Sequence, residues 1–448
     1  MKNKSCLLSS NIQTKKIPAS SFMRMWSLGS SQARIAGHFF TYALQKHFVD
    51  DDKKQLLQNE FHLKSALQLL GTMGYLKGAI MKTGQLLANL PQALPLEMIE
   101  VFESLQFEAP PMHFSFIREV FLDELGKEPE ELFAFFDKQA FAAASLGQVH
   151  RARLHNGKEV AVKIQYPNIA ATINTDMKTL EFLLQAMRFK KDFRYLCSHI
   201  HDAKNVFLKE VDYLSEAAFM EKNREIFFGS QVVVPVHYPE FTTKRILTME
   251  YLPGQHLQHF LAQNPTSEKR NHFGELISYS LIHSWFTCKT VYADMHSGNY
   301  IMMDDGRLGF IDFGCHRQFE EKRWKLQMEA EVAMLKDDRE ELNHFLTKLS
   351  MHETPDNLDE EWADLFMQQI RWVVAPIVAK SSFDFAGQEY VTHGVQLFKK
   401  SIQKGYARID PFYNWSNRAL LGHRSLMYRL KAKFDYSSLY LNEMKDHL

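Results

Sequence analysis

Two polar segments in the second half of the chain place the strongest constraint on its fold. The first carries Asp294 and Asn299 in a glycine-containing loop between a helical stretch and a strand-like stretch. The second carries Asp312 directly after the apolar residues of another strand-like stretch. Carboxylate and amide oxygens are ligands that Mg²⁺ prefers in proteins. The two segments therefore predict loops and strands inserted in a helical region, with a divalent cation site where the strands end.

A lysine and a glutamate upstream extend this pattern. Lys163 ends the apolar stretch that begins at Val160, so a strand would carry its ammonium group into a cleft. Glu216 lies in a predicted helix, Lys204 to Phe228, from which an acid can hold that lysine in position. Either residue alone is more often a solvated surface charge. Together with the loop residues they form an ordered set typical of phosphoryl transfer: Lys163, Glu216, Asp294, Asn299 and Asp312.

Two further acids, Glu210 and Asp212, lie in the same predicted helix as Glu216. Asp212 is about one helical turn before Glu216 and shares its face, whereas Glu210 lies on a different face from Asp212. Like charges at this spacing repel one another, so both a solvated acidic face and a binding site remain open interpretations. A binding site would need a second cation besides Lys163.

The hydrophobic pattern predicts a small mixed α/β lobe followed by a mainly helical lobe. Strand-like stretches at Leu146–Leu154 and Glu159–Gln165 flank the turn His155–Lys158 and predict a hairpin. Helical periodicity covers 54–90, 114–125, 174–187, 204–228 and most of the chain after Leu257. We predict four regions: a basic segment at 1–53, a helical extension at 54–135, the smaller lobe at 136–252 and the helical lobe at 253–448.

The first 49 residues are basic, with lysines and arginines but no Asp or Glu. They include the apolar side chains of Phe22, Trp26 and Phe39. Three interpretations remain open: an amphipathic segment lying on an anionic membrane, a transit peptide, and a solvated terminus.

Composition elsewhere excludes several classes of protein. The formal net charge is +0, which does not favour a nucleic-acid-coating protein. The longest apolar run, Leu276 to Cys288, falls short of the ~18 residues that cross a bilayer and predicts a buried helix. The four cysteines form no C-x-x-C pair, so neither a zinc site nor a disulfide framework is expected, and Cys315 is expected to be a packed residue.

The segment where a protein kinase carries a glycine-rich phosphate loop is rich in alanine here. Between Phe141 and Gln148 it has three alanines and a serine, Ala142 to Ser145. Alanine does not reach positive φ cheaply, and its methyl group keeps a ligand further from the backbone. Such a loop should bind a nucleotide differently from a glycine loop.

This alanine-rich loop and the K-x-G-Q motif at Lys82–Gln85 closely resemble the UbiB/ADCK family of atypical kinases, which is associated with ubiquinone biosynthesis. The resemblance runs from about Lys16 to at least Gln318. Its other matching pieces are Ala109–Met112, Val160–Pro167, Glu210 and Asp212 with Glu216, Asp294–Asn299, and Asp312–Gly314.

The resemblance implies an α+β, protein-kinase-like two-lobed fold with an added N-terminal helical extension. It implies that Glu216 pairs with Lys163 and that Lys82 reaches across the cleft to Glu210. The extension would then occlude the place where a protein substrate binds. The candidate site residues are Asp294, Lys163 and Glu216 for catalysis, Ala142, Ala143, Ala144, Ser145, Lys163, Glu250 and Leu252 for the nucleotide, Asn299 and Asp312 for Mg²⁺, and Lys82, Gln85, Glu210 and Asp212 for regulation.

One loop departs from the family pattern H-A-D-P-H-P-G-N. Tyr292 replaces the first histidine, and Met295 and Ser297 replace the two prolines, while Asp294 and Asn299 remain. Mg²⁺ binding should survive these changes because the oxygen ligands are retained. Proline restricts backbone freedom, so the loop's rigidity is the property that the changes affect.

The leading prediction is an enzyme: a Mg²⁺-dependent, ATP-binding atypical kinase or ATPase that assists quinone-lipid biosynthesis. Expected partners are ATP and ADP, a quinone-lipid precursor or biosynthetic enzymes, and an anionic membrane surface, but not nucleic acid. The expected location is cytoplasmic and peripheral to a membrane, mitochondrial in a eukaryote. A nucleotide-gated scaffold or lipid-binding pseudokinase with negligible turnover is an alternative, as is a small-molecule phosphotransferase, against which the K-x-G-Q motif and the alanine-rich loop argue.

Overall fold

The computed structural model describes residues 112–144, 146–167, 169–170, 173–174, 193–349, 358–404 and 410–445. Part of the predicted organisation lies outside these residues: the basic segment, the 54–90 helix, Lys82, Gln85, Ser145 and most of the 174–187 helix. The described residues belong to two compact units. One contains Met112 and the described parts of 143–148 and 166–204, and the other contains 113–142, 149–165 and the described parts of 205–448.

In the first unit, two hydrogen bonds involve residues that directly follow the alanine-rich segment. The Tyr166 N–H donates to the carbonyl of Leu146 at 3.0 Å. The Met112 N–H donates to the side-chain oxygen of Gln148 at 2.7 Å, and Gln148 is buried. A buried amide side chain is normally held by such hydrogen bonds, so Gln148 fixes the backbone at Met112.

Up to residue 250 the described chain mixes helices with strands, and all of these strands except β4 belong to one main sheet. The elements are α1 (Phe114–Leu125), α2 (Pro129–Leu132), β1 (Phe135–Ala144), β2 (Gly147–Arg153), β3 (Glu159–Gln165), α3 (Phe193–Glu210), α4 (Tyr213–Ile226), β4 (Val232–Val233) and β5 (Ile246–Glu250).

The main sheet has the strand order β1-β2-β3-β5 and presents Lys163 from a buried strand. The turn between β2 and β3 closes with the Gly157 N–H donating to Leu154, and Gly157 has a φ of 86°. Glycine reaches positive φ without steric cost, which explains the predicted hairpin. Strands β3 and β5 are antiparallel, with Lys163 opposite Leu247. The hairpin prediction is confirmed.

The predicted single helix from Lys204 to Phe228 is wrong. Helix α3 ends at Glu210 and α4 begins at Tyr213. Asp212 is the N-cap of α4, and its carboxylate accepts hydrogen bonds from the N–H groups of Leu214 and Ser215 at 3.1 and 3.4 Å. Aspartate at an N-cap stabilises a new helix start, which outweighs the continuous periodicity. Asp212 therefore does not share a helix face with Glu216.

The rest of the described chain is mainly helical, with short strands near the candidate loops. The elements are α5 (Leu257–Ala262), α6 (Ser267–Cys288), β6 (Thr290–Tyr292), β7 (Tyr300–Met302), β8 (Leu308–Phe310), β9 (His316–Gln318), α7 (Glu321–Lys336), α8 (Arg339–Leu349), α9 (Glu360–Val378), β10 (Phe383–Asp384), α10 (Gln388–Lys404), α11 (Pro411–Leu430), β11 (Lys433–Phe434) and α12 (Tyr436–Met444). Strand β8 pairs antiparallel with β7 and parallel with β4, and β6 pairs with β9.

Helix α6 runs through the core, as the apolar run Leu276–Cys288 predicted. Its buried Ser278 and Ser284 hydroxyls donate to the carbonyls of Gly274 and Ser280, one turn earlier, at 2.8 and 2.7 Å. These bonds remove the cost of burying the hydroxyl groups. Among the described residues, no helix is long and apolar enough to cross a membrane. Cys315 is buried, in agreement with its expected packing role.

Candidate functional site

A buried ion cluster lies where β3, α4 and the segment after β8 meet. The Lys163 Nζ donates to both carboxylate oxygens of Glu216, at 2.8 and 3.1 Å, and lies 3.4 Å from the Asp312 Oδ2. Lys163 is 5% exposed and Glu216 2% exposed, so this pair has little access to water. The ring of Tyr213 lies under the ammonium group, 5.0 Å from it. The structure thus brings together three residues that are distant in the sequence.

Burial and charge act in opposite directions on the pKa of Lys163. Burial favours the neutral amine, but the carboxylates of Asp312 and Glu216 outweigh it and raise the pKa of Lys163 well above its ordinary value. Burial raises the pKa of Glu216, Lys163 opposes that rise, and Asp312 adds to it. The lysine therefore stays charged, and Glu216 needs it in order to stay ionised.

Gly314 allows the acids to approach the turn after Asp312. The Gly314 N–H donates to the Asp312 Oδ1 at 3.0 Å. A Cβ atom on Gly314 would lie 3.1 Å from the Cγ of Glu210 and 3.3 Å from the Oε2 of Glu216. The absence of a side chain at Gly314 thus lets Glu210, Glu216 and Asp312 pack around one backbone position. Glu210 belongs to this cluster although it ends a different helix from Glu216.

We expect Gly314→Ala to weaken the site without unfolding the protein. Its methyl group would press on two buried carboxylate side chains, and overpacking of this kind typically costs about 1–3 kcal/mol. Thermal unfolding should show the loss. A Gly314→Ala variant as stable as the wild type would contradict the close packing of acids around this glycine.

The loop between β6 and β7 is tied to the strand end that carries Asp312. The Asn299 side-chain nitrogen donates to the carbonyl of Asp294 at 2.7 Å. The Ile311 N–H donates to the carbonyl of Asn299 at 3.1 Å, so Asn299 is next to the residue that precedes Asp312. Because its nitrogen donates to Asp294, the Asn299 amide oxygen is the atom of this side chain that can act as a metal ligand. An amide oxygen and a carboxylate at adjacent backbone positions fit Mg²⁺.

Each residue that departs from the family loop has a packing partner. The Tyr292 hydroxyl donates to the side-chain oxygen of Asn223, and its ring meets that of Phe313 edge to face, 5.8 Å between centroids. The Ser297 hydroxyl accepts from the Arg429 guanidinium at 3.2 Å. Met295 is buried against Gly422, where an added Cβ would lie 2.7 Å from the Met295 Cβ. These contacts restrain the loop where the family uses prolines.

His316 holds the segment that follows Asp312. Its ring stacks on Phe219 of α4 with 3.6 Å between centroids, and its Nδ1 contacts the carbonyl of Phe313 at 2.8 Å. Burial lowers the pKa of His316 to about 4, so the ring is neutral at physiological pH. Sequence reasoning gave His316 no role, because a histidine following the motif has no recognisable spacing.

Arg418 of α11 was also missed, although it contacts a candidate catalytic residue. Its Nη2 lies 3.3 Å from the Asp294 Oδ1, and its side chain is 13% exposed. The two residues are separated by 124 positions in the sequence. No motif or periodicity marks a partner so far along the chain.

The candidate nucleotide residues lie on separate elements. Glu250 ends β5, and its N–H donates to the carbonyl of Val236 at 2.7 Å. Leu252, two residues after Glu250, packs against Gly309 of β8. The contact is close, because a Cβ atom added to Gly309 would lie only 2.8 Å from the Leu252 Cδ1. The segment Ala142–Ala144 forms the end of β1, before the turn into β2.

Comparisons with known proteins identify a kinase-like family. A family model described as the ABC1 atypical kinase-like domain matches residues 104–346. The mitochondrial atypical kinase COQ8 of Schizosaccharomyces pombe is 27% identical, over 97% of this chain and 71% of its own length. AarF domain-containing protein kinase 1 of Xenopus laevis is 33% identical over 60% of this chain, which spans 52% of that relative.

A solved structure supports the same fold. The Mycobacterium tuberculosis protein Rv3197, in complex with erythromycin, has 25% identity and a TM-score of 0.56, and the match covers 87% of this chain and 97% of that one. The predicted mixed, kinase-like fold class and the resemblance to the UbiB/ADCK family are confirmed. Because the family model matches more than half of the 448 residues, the chain belongs to the ABC1 atypical kinase-like family.

Proposed function

We propose that the protein is a Mg²⁺-dependent, ATP-binding atypical kinase or ATPase that supports ubiquinone biosynthesis. The observation that carries this proposal is the buried contact of Lys163 with Glu216 and Asp312. Glu216 and Asp312 keep this buried lysine charged, and a cation held in this way suits a site that binds an anionic ligand. The phosphates of ATP are such a ligand.

We assign the roles by combining the contacts of these residues with the family resemblance. Lys163 would donate to the phosphates while Glu216 keeps it in position. Asp312 and the Asn299 oxygen would hold Mg²⁺, which supplies neutralising charge to the phosphates. Asp294 would accept the proton of the attacking group. Glu250 and Leu252 would contact the base, and the alanine-rich segment with Ser145 would cover the phosphates.

The lipid part of the proposal rests on the family. The resemblance associates it with ubiquinone, and COQ8 is among the relatives. The basic segment 1–53 would bind an anionic membrane, in the mitochondrion of a eukaryotic host. Lys82 and Gln85 of the extension, with Glu210 and Asp212, would regulate access, so that generic proteins are phosphorylated hardly at all.

Turnover by the purified full chain tests the proposal. We expect slow, Mg²⁺-dependent ATP hydrolysis that anionic liposomes stimulate more than neutral ones, and little labelling of a generic protein such as casein. Nucleotide binding without hydrolysis under any of these conditions would favour the scaffold instead. No binding of ATP with Mg²⁺ would contradict the proposal as a whole. A gene deletion that leaves quinone intermediates unchanged would remove the lipid role.

A further inference from the structure

Helix α11 presents one face to the loop that carries Asp294. Arg418 contacts Asp294, Gly422 packs against Met295, and Arg429 binds Ser297. The three α11 positions are separated by four and then seven residues, so they lie along one side of the helix. The side chains of the candidate catalytic loop are therefore contacted by a helix that follows the loop by more than a hundred residues.

The guanidinium of Arg418 is only partly used by these contacts. Its Nη2 lies 3.3 Å from Asp294, and the Trp415 ring lies 5.9 Å from its central carbon. Its other terminal nitrogen, Nη1, is buried and has no hydrogen-bond partner among the described residues. An arginine presents its donors in a rigid fork that can bridge two anionic groups. A buried donor without a partner costs free energy, which a bound acceptor would recover.

The charges around the loop indicate which acceptor is missing. Between Asp294 and Asn299 the chain has no lysine or arginine, and the His296 Nδ1 accepts from the Gly298 N–H at 3.1 Å. Lys163, proposed above to donate to the phosphates, lies at Glu216 and Asp312. The loop itself thus brings no lysine or arginine to a terminal phosphate beside Asp294, and another element would have to supply that cation. Phosphoryl transfer requires positive charge at that position.

We propose that Arg418 binds an oxygen of the terminal phosphate of ATP through Nη1 while Nη2 holds Asp294. This inference rests on the proposed function and assigns to α11 the cation that the loop itself lacks. Its consequence is nucleotide discrimination. ATP has the terminal phosphate and ADP does not, so Arg418 should contribute to the affinity for ATP and very little to that for ADP.

Calorimetric titration of the full-length protein tests this assignment. The ligands are a non-hydrolysable ATP analogue and ADP, each with Mg²⁺. Arg418→Gln should weaken binding of the analogue about 10-fold, as expected for loss of a charge-assisted hydrogen bond, and change ADP affinity by less than about 2-fold. Arg418→Lys should restore part of the affinity for the ATP analogue that Arg418→Gln loses. Equal effects on both nucleotides, or no effect on either, would overturn the role of Arg418.

A matched control and a second pair of variants keep the test decisive. Arg323→Gln breaks another arginine–aspartate ion pair, to Asp410 at the N-cap of α11, 2.9 Å away, and should leave the preference unchanged. If Arg418→Gln does not fold, Asp294→Asn is compared with Asp294→Asn/Arg418→Gln, which removes both charges of the pair. The double variant should prefer the ATP analogue over ADP less than Asp294→Asn does, by the same factor as expected for Arg418→Gln. An equal preference in the two variants would refute the assignment. A wild type that binds neither nucleotide would contradict the proposed function instead.

Discussion

Replacing Lys163 with methionine is expected to lower the free energy of unfolding by about 3–5 kcal/mol, as when one partner of a buried ion pair is removed. Glu216 is 2% exposed and would lose the cation that opposes its protonation. Chemical denaturation measures the change. Nucleotide binding should be lost as well, because the ammonium group is the proposed phosphate ligand.

A double variant separates charge imbalance from lost packing. Lys163→Met/Glu216→Gln removes both charges, so it should be more stable than Lys163→Met alone by about 1–3 kcal/mol, yet still fail to bind nucleotide. Lys158→Met is the control for general loss of a lysine, since Lys158 is exposed in the β2–β3 turn, and it should change stability by less than about 0.5 kcal/mol. A Lys163 variant no less stable than this control would refute the buried pair.

Replacing Asp312 with asparagine is expected to abolish the Mg²⁺-dependent part of stabilisation by ATP. At a ligand concentration about 100 times Kd, binding stabilises a protein by about 2.7 kcal/mol, and a 100-fold weaker complex would contribute only about 0.4 kcal/mol. The asparagine keeps an oxygen but loses the charge that Mg²⁺ requires. Thermal unfolding with ATP, in Mg²⁺ and in EDTA, measures the difference.

Asp305→Asn provides the comparison for this experiment. Asp305 lies in the turn between β7 and β8, where its exposed carboxylate binds Arg307 at 2.7 Å. The substitution also removes one carboxylate charge, at a position close to Asp312 in the sequence. Stabilisation by ATP should therefore depend on Mg²⁺ as fully as in the wild type. If Asp312→Asn responds to Mg²⁺ as Asp305→Asn does, Asp312 is not the metal ligand.

Local signals explain what sequence reasoning obtained correctly. The hairpin followed from Asn156-Gly157, and the end of α1 from Gly126, which adopts a φ of 68°. The contact of Lys163 with Glu216 was predicted from the family resemblance, and the geometry agrees with it. In each case a short motif determines the local conformation or the partner.

Two features could not be predicted from short motifs. One depends on competition between helical periodicity and helix capping, and the other depends on a contact between residues that are far apart in the sequence. Asp212 was placed inside a helix because the apolar periodicity continues through it, whereas capping the next helix is the stronger interaction. Arg418 meets Asp294 only because α6, the loop and α11 pack together, and the sequence contains no periodicity that links them. Local helix capping decides the first outcome, and tertiary packing decides the second.

The contact between α11 and the loop also bears on how the protein is made. A nascent chain already contains all five motif residues by Asp312, but Arg418 and Gly422 are synthesised more than a hundred residues later. Domains fold as their residues emerge during synthesis. The loop therefore lacks its packing partner, α11, until translation is nearly finished. A gene product that stops after Lys404 would therefore satisfy every motif search and still lack the helix that contacts its candidate catalytic loop.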